Sequence, residues 1–251
     1  MTLDQTRTEI LIGQAGIARL ATKHVMVVGL GGVGGYAAEA VARAGIGSMT
    51  IVDHDLVASS NCNRQLPALE STIGQAKSAV MGSRLLDINP DLQLEILETF
   101  MDPDNIPGIL AGRGIDYLLD CIDSIACKAA LVAACQELLI PVASAMGAGG
   151  RTDVTRARVS TLNKTQVCPL AREMRGRMRK LGASLNYPVV FSDEIPVKGL
   201  PHQPIDSDNP GRPRAVNGTI SYLPGLFGML LARGRYCAWN YRVIYGRGRV
   251  N

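Results

Sequence analysis

No C-x-x-C pair occurs anywhere in the 251 residues; the six cysteines, Cys62, Cys121, Cys127, Cys135, Cys168 and Cys237, stand singly. A zinc ribbon or a thioredoxin-like redox pair needs two thiols two residues apart, so both are excluded and the cysteines are expected to be free thiols in a reducing compartment. Histidine is equally sparse: His24, His54 and His202 show no metal-ligand spacing. Aromatic residues, three Phe, one Trp and seven Tyr, are too few for the stacking platform of a single-strand binder. The longest apolar stretch near the end, residues 219–232, is interrupted by Pro224, Gly225 and Gly228 and falls short of the ~20 residues that span a bilayer. The N-terminus lacks a basic region followed by an apolar one, so no signal peptide is read and a cytoplasmic protein with no membrane partner is expected.

What is present fits a globular chain: 47% hydrophobic and 19% charged residues, with 27 Gly and 13 Pro, at a length suited to one large core. The net charge of +4 conceals a division. Residues 1–150 carry 9 Lys/Arg against 16 Asp/Glu, a balance of −7, whereas residues 151–251 carry 17 against 6, a balance of +11. Two readings stay open on composition alone: a polyanionic partner for the C-terminal part, or acidic surface packed on basic surface within the fold or a dimer.

From His24 onward, short apolar runs alternate with helical periodicity. That pattern predicts an α/β, Rossmann-like doubly wound sheet, mostly parallel. Strands are expected at 24–29, 48–53, 92–97, 117–122 and 140–145, and helices at 34–44, 74–88 and 124–138. Residues 1–150 form the nucleotide-binding unit, and residues 151–251 are a basic part completing the same domain. In that part a strand is expected at 154–160 and a helix at 169–181, with a last strand at 219–223 and helix at 225–239. Six of the 13 prolines fall within 188–213, which reads as a loop or lid.

Gly29-Leu-Gly31-Gly32-Val-Gly34 joins a buried strand to a helix, and Asp53 ends the next strand. This is the dinucleotide-binding spacing: glycines let the backbone approach phosphate at a helix N-terminus, and the acid bonds ribose hydroxyls. A triphosphate attacked at its α-phosphorus needs more positive compensation than a dinucleotide does. Asp55, Asn61, Arg64, Gln65, Lys77 and Asp123 all fall near strand ends that open onto one crevice. There Arg64 and Lys77 can cover charge on departing pyrophosphate, and Asp123 can hold Mg²⁺. Taken singly, Lys77 also reads as a solvated helix lysine and Asp123 as a helix cap.

The runs GLGGVGGYAAEAVARAGIG (29–47), TIVDHDLV (50–57), NCNRQL (61–66), IGQAKSAVM (73–81), INP (88–90) and DCIDS (120–124) resemble the ubiquitin-activating-enzyme-like superfamily of ATP-dependent adenylating enzymes. Within it they are most similar to the branch of tRNA threonylcarbamoyladenosine dehydratases. Arg7-Thr-Glu9, Gly147-Ala-Gly149, Cys168-Pro-Leu-Ala-Arg172 and the 218–224 run support that branch. The resemblance spans roughly residues 7–240, thinning after about 172. It implies that Gly29, Gly31 and Gly34 cradle phosphate, that Asp53 binds ribose, and that Asn61, Arg64, Gln65 and Lys77 surround the triphosphate. It also implies Mg²⁺ at Asp123, a homodimer, and Arg7 reaching the neighbouring subunit's site. The sulfur-carrier-activating branches carry two C-x-x-C zinc pairs; this chain has none, so no zinc is expected.

In the dehydratase branch ATP activates a threonyl carboxylate on a tRNA adenosine, and the carbamoyl group of the same side chain closes the ring. Intramolecular attack has a high effective molarity and needs no enzyme thiol. Two alternatives remain at this level. One is adenylation of a sulfur-carrier C-terminus with a sulfur-transfer protein as partner, for which Cys168, at a helix N-terminus, is the candidate thiol. The other is an NAD-binding dehydrogenase or redox sensor resting on the glycine turn alone. The basic segment favours tRNA: residues 151–180 hold nine positive side chains against Asp153 and Glu173. Arg172, Arg175 and Arg179, with Lys180 beside them, are expected on a face opposite Leu170, Met174, Met178 and Leu181, where they would meet phosphate.

Overall fold

A computed structural model describes residues 3–199 and 218–244, with backbone alone from 234 onward. In chain order the elements are α1 (Thr6–Ala21), β1 (His24–Val28), α2 (Gly34–Arg43), β2 (Ser48–Val52), α3 (Lys77–Ile88), β3 (Gln93–Leu97), α4 (Ile106–Leu110) and β4 (Tyr117–Asp120). There follow α5 (Ile125–Glu137), β5 (Val142–Ala145), β6 (Ala157–Thr161), α6 (Pro169–Lys180), β7 (Pro188–Ser192) and α7 (Leu223–Ile244). The strands form one sheet in the order β3-β2-β1-β4-β5-β7-β6, parallel at every pairing except β6 with β7.

The apolar runs become central strands because both faces are covered. In β1, Val25 and Val27 point into the core beneath α1, α2 and α7, while Met26 and Val28 point into the core beneath α4, α5 and α6. Tyr117 and Leu119 of β4 take the first side and Leu118 the second. This alternation is the period-two geometry of a strand. Strand order reverses between β1 and β4, so the loops leaving their C-terminal ends diverge to opposite sides and open a crevice between them.

Several sequence expectations need correction. Residues 219–223 are not a strand. They run past Gly150 and Thr152 on isolated hydrogen bonds, Gly150 N–H to Gly218 O and Tyr222 OH to Thr152 O, and α7 starts at Leu223. The region 188–213 is not all loop: Val189–Phe191 is buried inside the sheet. Pro188 is tolerated there because it occupies the first strand position, where no N–H is needed. Its remainder from 200 lies outside the described residues, as do His202 and the 246–250 tail. Residues 154–156 form a single 3₁₀ turn capped by Asp153, and β6 begins only at Ala157. Helices α1 and α4 were not foreseen; α1 carries a kink at Gly13, whose φ is 69°.

Helix α7 lies across α2 at backbone distance. A Cβ on Gly228 would sit 2.3 Å from the Val33 carbonyl oxygen, and one on Gly225 would sit 3.3 Å from the Tyr36 ring. This crossing holds Pro224, at the start of α7, over the glycine turn, where its Cβ approaches Gly32. Gly228→Val should therefore destabilise the fold by about 3 kcal/mol through overpacking, read as a lower urea midpoint; a parent-like midpoint would show that the crossing relaxes freely.

Candidate active site

The crevice is assembled around the turn that leaves β1. Gly29 has φ +87°, and a Cβ on Gly34 would lie 1.7 Å from the Gly29 carbonyl oxygen, so α2 can start against the strand end only without a side chain at 34. The first turn of α2 contains no acidic residue, leaving its N-terminal N–H groups and dipole facing the crevice. Asp53 is buried at the end of β2. One of its oxygens accepts the Leu30 N–H at 2.6 Å and the other the Asp55 N–H at 2.8 Å. The carboxylate thereby secures the glycine turn and retains lone pairs for a hydroxyl ligand.

Lys77 reaches the same place through an isolated antiparallel bridge between Leu56 and Ala76. Its N–H bonds the Asp55 carbonyl at 3.0 Å, and its Nζ lies 2.7 Å from Asp55 Oδ2. The lysine is 5% exposed, whereas the Asp55 side chain is about half exposed. Lys77 is thus a buried cation at the crevice, not a solvated helix lysine. Arg64 donates to the Ser60 carbonyl at 3.0 Å and to Asn63 Oδ1 at 2.7 Å, which fixes its guanidinium at the rim. Gln65 stands against Gly31, and its Oε1 is buried without a hydrogen-bond partner.

Gly29, Gly31, Gly32, Asp53, Asp55, Arg64, Gln65, Lys77 and Asp123 all line one cavity of about 380 Å³. Gly34 supports it from behind. One residue expected at this chain's own crevice is not brought in. Asn61 points elsewhere: its Oδ1 accepts the Ala58 N–H at 3.1 Å and closes the short 3₁₀ turn at 59–61. Arg7 is exposed on the first turn of α1, away from this chain's own crevice. Thr99, Phe100 and Met101, which follow β3, and Ala148 and Pro224 complete the lining. His54, between the two acids, meets the Phe100 ring edge-on at 4.8 Å. The rule that ligands sit at strand C-termini could have found 99–101.

The carboxylates flank the turn: Asp53 and Asp55 follow β2 on one side, and exposed Asp123 follows β4 on the other. Hard oxygen donors of this kind, open to phosphate oxygens, suit Mg²⁺. Neither Cys121 nor Cys168 suits nucleophilic chemistry. Cys121 lines the cavity, but burial pushes it up to about 12, with Asp120 adding to the shift. Cys168 caps α6 as expected, yet it is 2% exposed, so a macromolecular thioester there is ruled out sterically without local opening.

The basic segment divides on inspection. Arg151 is buried and donates to the Gly147, Gly149 and Glu194 carbonyls. Arg156 and Arg158 gather at Asp193. Arg175, expected on the phosphate face, is half-buried and turned onto Thr165. Leu181 is exposed and leaves the apolar stripe, which consists of Ala171, Met174 and Met178. Arg172, Arg177, Arg179, Lys180 and Lys164 are exposed, as are Arg156 and Arg158 despite their contact with Asp193.

A doubly wound sheet with a glycine turn, a buried lysine and flanking carboxylates defines a nucleotide-binding α/β protein of the adenylating type. The ThiF family model matches residues 5–234, and the chain belongs to that family. The tRNA threonylcarbamoyladenosine dehydratase of Bacillus subtilis (strain 168) is 41% identical over 192 residues, 76% of this chain and 75% of the relative. That of Escherichia coli (strain K12) is 42% identical over 172 residues, 68% of this chain and 64% of the relative, so that alignment spans less than two thirds of the relative's length. Crystal structures of the Escherichia coli dehydratase in complex with AMP and with ATP superpose with TM-scores of 0.82 and 0.81, at 36% and 35% identity, each covering 94% of both chains.

At pH 8 a maleimide should modify Cys62, the exposed thiol, well before Cys121, Cys127, Cys135 and Cys168. Thiols whose titration is raised to about 12, as at Cys121 and Cys135, hold almost no thiolate at that pH. Peptide mass spectrometry reads the order, and early labelling of Cys168 would show the α6 cap to be open.

Proposed function

We propose that the chain catalyses the ATP-dependent dehydration, by cyclisation, of N6-threonylcarbamoyladenosine in tRNA. The observation that carries this reading is the crevice itself: a glycine turn for phosphate, a buried lysine and a rim arginine for charge, and carboxylates on both sides, beside an exposed basic helix. Family membership and relatives bearing that dehydratase name support it.

In this reading Gly29, Gly31, Gly32 and the N-terminus of α2 receive the phosphates, and Asp53 takes the ribose hydroxyls. The threonyl carboxylate oxygen attacks the α-phosphorus, the bond to the bridging oxygen breaks, and pyrophosphate departs. Lys77 and Arg64 stabilise the charge that accumulates on it. Asp55 holds Lys77 in place before the phosphates arrive. The carbamoyl group then attacks the acyl-adenylate, AMP leaves, and the nucleoside has lost one water. Asp123, with Asp55 across the turn, would hold Mg²⁺, which supplies charge neutralisation on the phosphates when bound. No step requires a thiol.

The tRNA reading rests on Arg172, Arg177, Arg179, Lys180 and Lys164, which are exposed and, unlike the equally exposed Arg156 and Arg158, are not drawn onto Asp193. A homodimer is part of the same proposal. On α1, Arg7, Ile10 and Leu11 fall three and four residues apart on one face, and Ile10 and Leu11 are 79% and 71% exposed. That face would dock a second copy and carry Arg7 to its crevice. Sulfur-carrier adenylation is less well supported: the chain lacks C-x-x-C pairs and Cys168 is buried. A cytoplasmic location fits a tRNA substrate, and among the described residues no helix is long and apolar enough to cross a membrane.

Incubation with ATP, Mg²⁺ and tRNA bearing threonylcarbamoyladenosine should lower the nucleoside mass by one water; an unchanged mass with protein that binds ATP would overturn the reading. Asp123→Ala should cut turnover by about 100-fold with an unaltered melting temperature, and parent-like turnover would remove Asp123 from the site. Arg172→Glu combined with Arg179→Glu should weaken tRNA binding and lower the log-log salt slope by about 2. A slope equal to the parent's would place tRNA on another surface.

A further inference from the structure

Directly beneath the crevice lies a charged cluster that the chemistry above does not touch. Lys128, in the first turn of α5, and Asp120, the last residue of β4, are both fully buried, with Nζ 2.8 Å from Oδ2. Ser144, paired with Asp120 across β4 and β5, donates its hydroxyl to the same Oδ2 at 2.6 Å. The second carboxylate oxygen accepts the Ile122 N–H at 3.2 Å, and Nζ also approaches the Asp120 carbonyl at 3.4 Å. One carboxylate therefore ties together the end of β4, the neighbouring strand β5, helix α5 and the backbone two residues on.

The segment so tied is a wall of the nucleotide site. Cys121, Ile122, Asp123 and Ser124 line the cavity. Cys121 also presses on the glycine turn. A Cβ on Gly29 would lie 3.0 Å from the Cys121 carbonyl carbon and oxygen, and one on Gly34 would lie 3.1 Å from Cys121 Cβ. The glycine turn thus packs against residue 121 with no room for a side chain between them, and the Cys121 N–H bonds the Val28 carbonyl just before the turn at 2.8 Å.

Stability does not explain the pair. Removing two charges from water is costly, and apolar residues of similar volume are often as stabilising or more so. Leu118, Val132 and Val142, on the same face of the sheet, are already buried. What a charged pair offers over apolar side chains is direction, since charge-assisted hydrogen bonds are short and angularly defined. We propose that Asp120, Lys128 and Ser144 are positioning residues of the nucleotide site, holding the 121–124 wall against the glycine turn in the geometry that ATP requires. The proposal rests on the crevice being a nucleotide site and is independent of the tRNA substrate.

The test compares the full chain with Asp120→Leu/Lys128→Met, which removes both charges and keeps volume, and with Ser144→Ala. ATP affinity with Mg²⁺ is read by calorimetry and fold stability by thermal unfolding, so a purely structural role and a positioning role separate. The double variant should melt close to the parent yet bind ATP about 10- to 100-fold more weakly, as loss of supporting hydrogen bonds behind a site typically does. Parent-like affinity in the double variant overturns the proposal. Should the double variant fail to fold, Ser144→Ala decides: several-fold weaker ATP binding at an unchanged melting temperature supports the proposal, and unchanged affinity overturns it. A parent chain that binds no ATP overturns both this proposal and the reading of the crevice.

Discussion

The crevice depends on one steric constraint, the absence of side chains where α2 leaves β1. With a hydrogen at 34, the helix starts against the Gly29 carbonyl and its first N–H groups stay within reach of a phosphate; with a methyl, carbon and oxygen would be 1.7 Å apart. That close approach then sets everything around it. Asp53 can bridge the Leu30 and Asp55 N–H groups because the turn is pulled in. Asp55, held by that bridge, meets Lys77. Pro224 covers Gly32 because α7 lies on α2 at a second bare backbone position, Gly228.

The cations of the basic segment divide between those held by the chain itself and those that face solvent. Arg151, Arg156, Arg158 and Arg175 belong to the strongly basic segment, yet they hold carbonyls, Asp193 and Thr165. They position the loops after β5 and around β6 and leave the exposed cations of α6 for an outside partner. The charge of +11 counted beyond residue 150 therefore overstates what an outside polyanion would meet. The internal contacts are to Asp193 within the basic part itself and to backbone carbonyls, so they do not set the acidic part against the basic one. Hydrogen bonding to carbonyl oxygens does not neutralise a guanidinium, and Arg151 Nη2 is buried without a hydrogen-bond partner, so Arg151 still contributes positive potential near Ala148 on the cavity wall.

Local chemistry made the centre of the site legible from residues alone. The glycines and Asp53 are read easily because their roles follow from backbone geometry within one strand-turn-helix unit. Lys77 and Asp123 needed the further rule that parallel strands open on one side. What stayed hidden depended on partners distant in the chain. Val189–Phe191 looked like loop among prolines because only pairing with β5 and β6 makes it a strand. Residues 219–223 have strand-forming composition, but no strand among the described residues pairs with them. Asn61 was placed on the nucleotide by its neighbours Arg64 and Gln65, whereas the carbonyl oxygen of its side chain closes its own turn. Arg175 followed helical spacing onto the basic face, and Thr165, ten residues earlier, drew it inward.

Asn61 and Asp53 show why residue type alone does not separate support from ligand contact. Each offers a side-chain oxygen to a backbone N–H near the crevice. The amide oxygen of Asn61 is directed at Ala58 in an exposed turn, away from the cavity lining. Asp53 is a carboxylate, with lone pairs beyond the two used by Leu30 and Asp55, and it lines the cavity. Binding capacity at a crowded turn is therefore set by the acceptor capacity left over once the turn itself is satisfied. By the same measure the buried, unpartnered oxygen of Gln65 beside Gly31 is spare acceptor capacity at the phosphate turn.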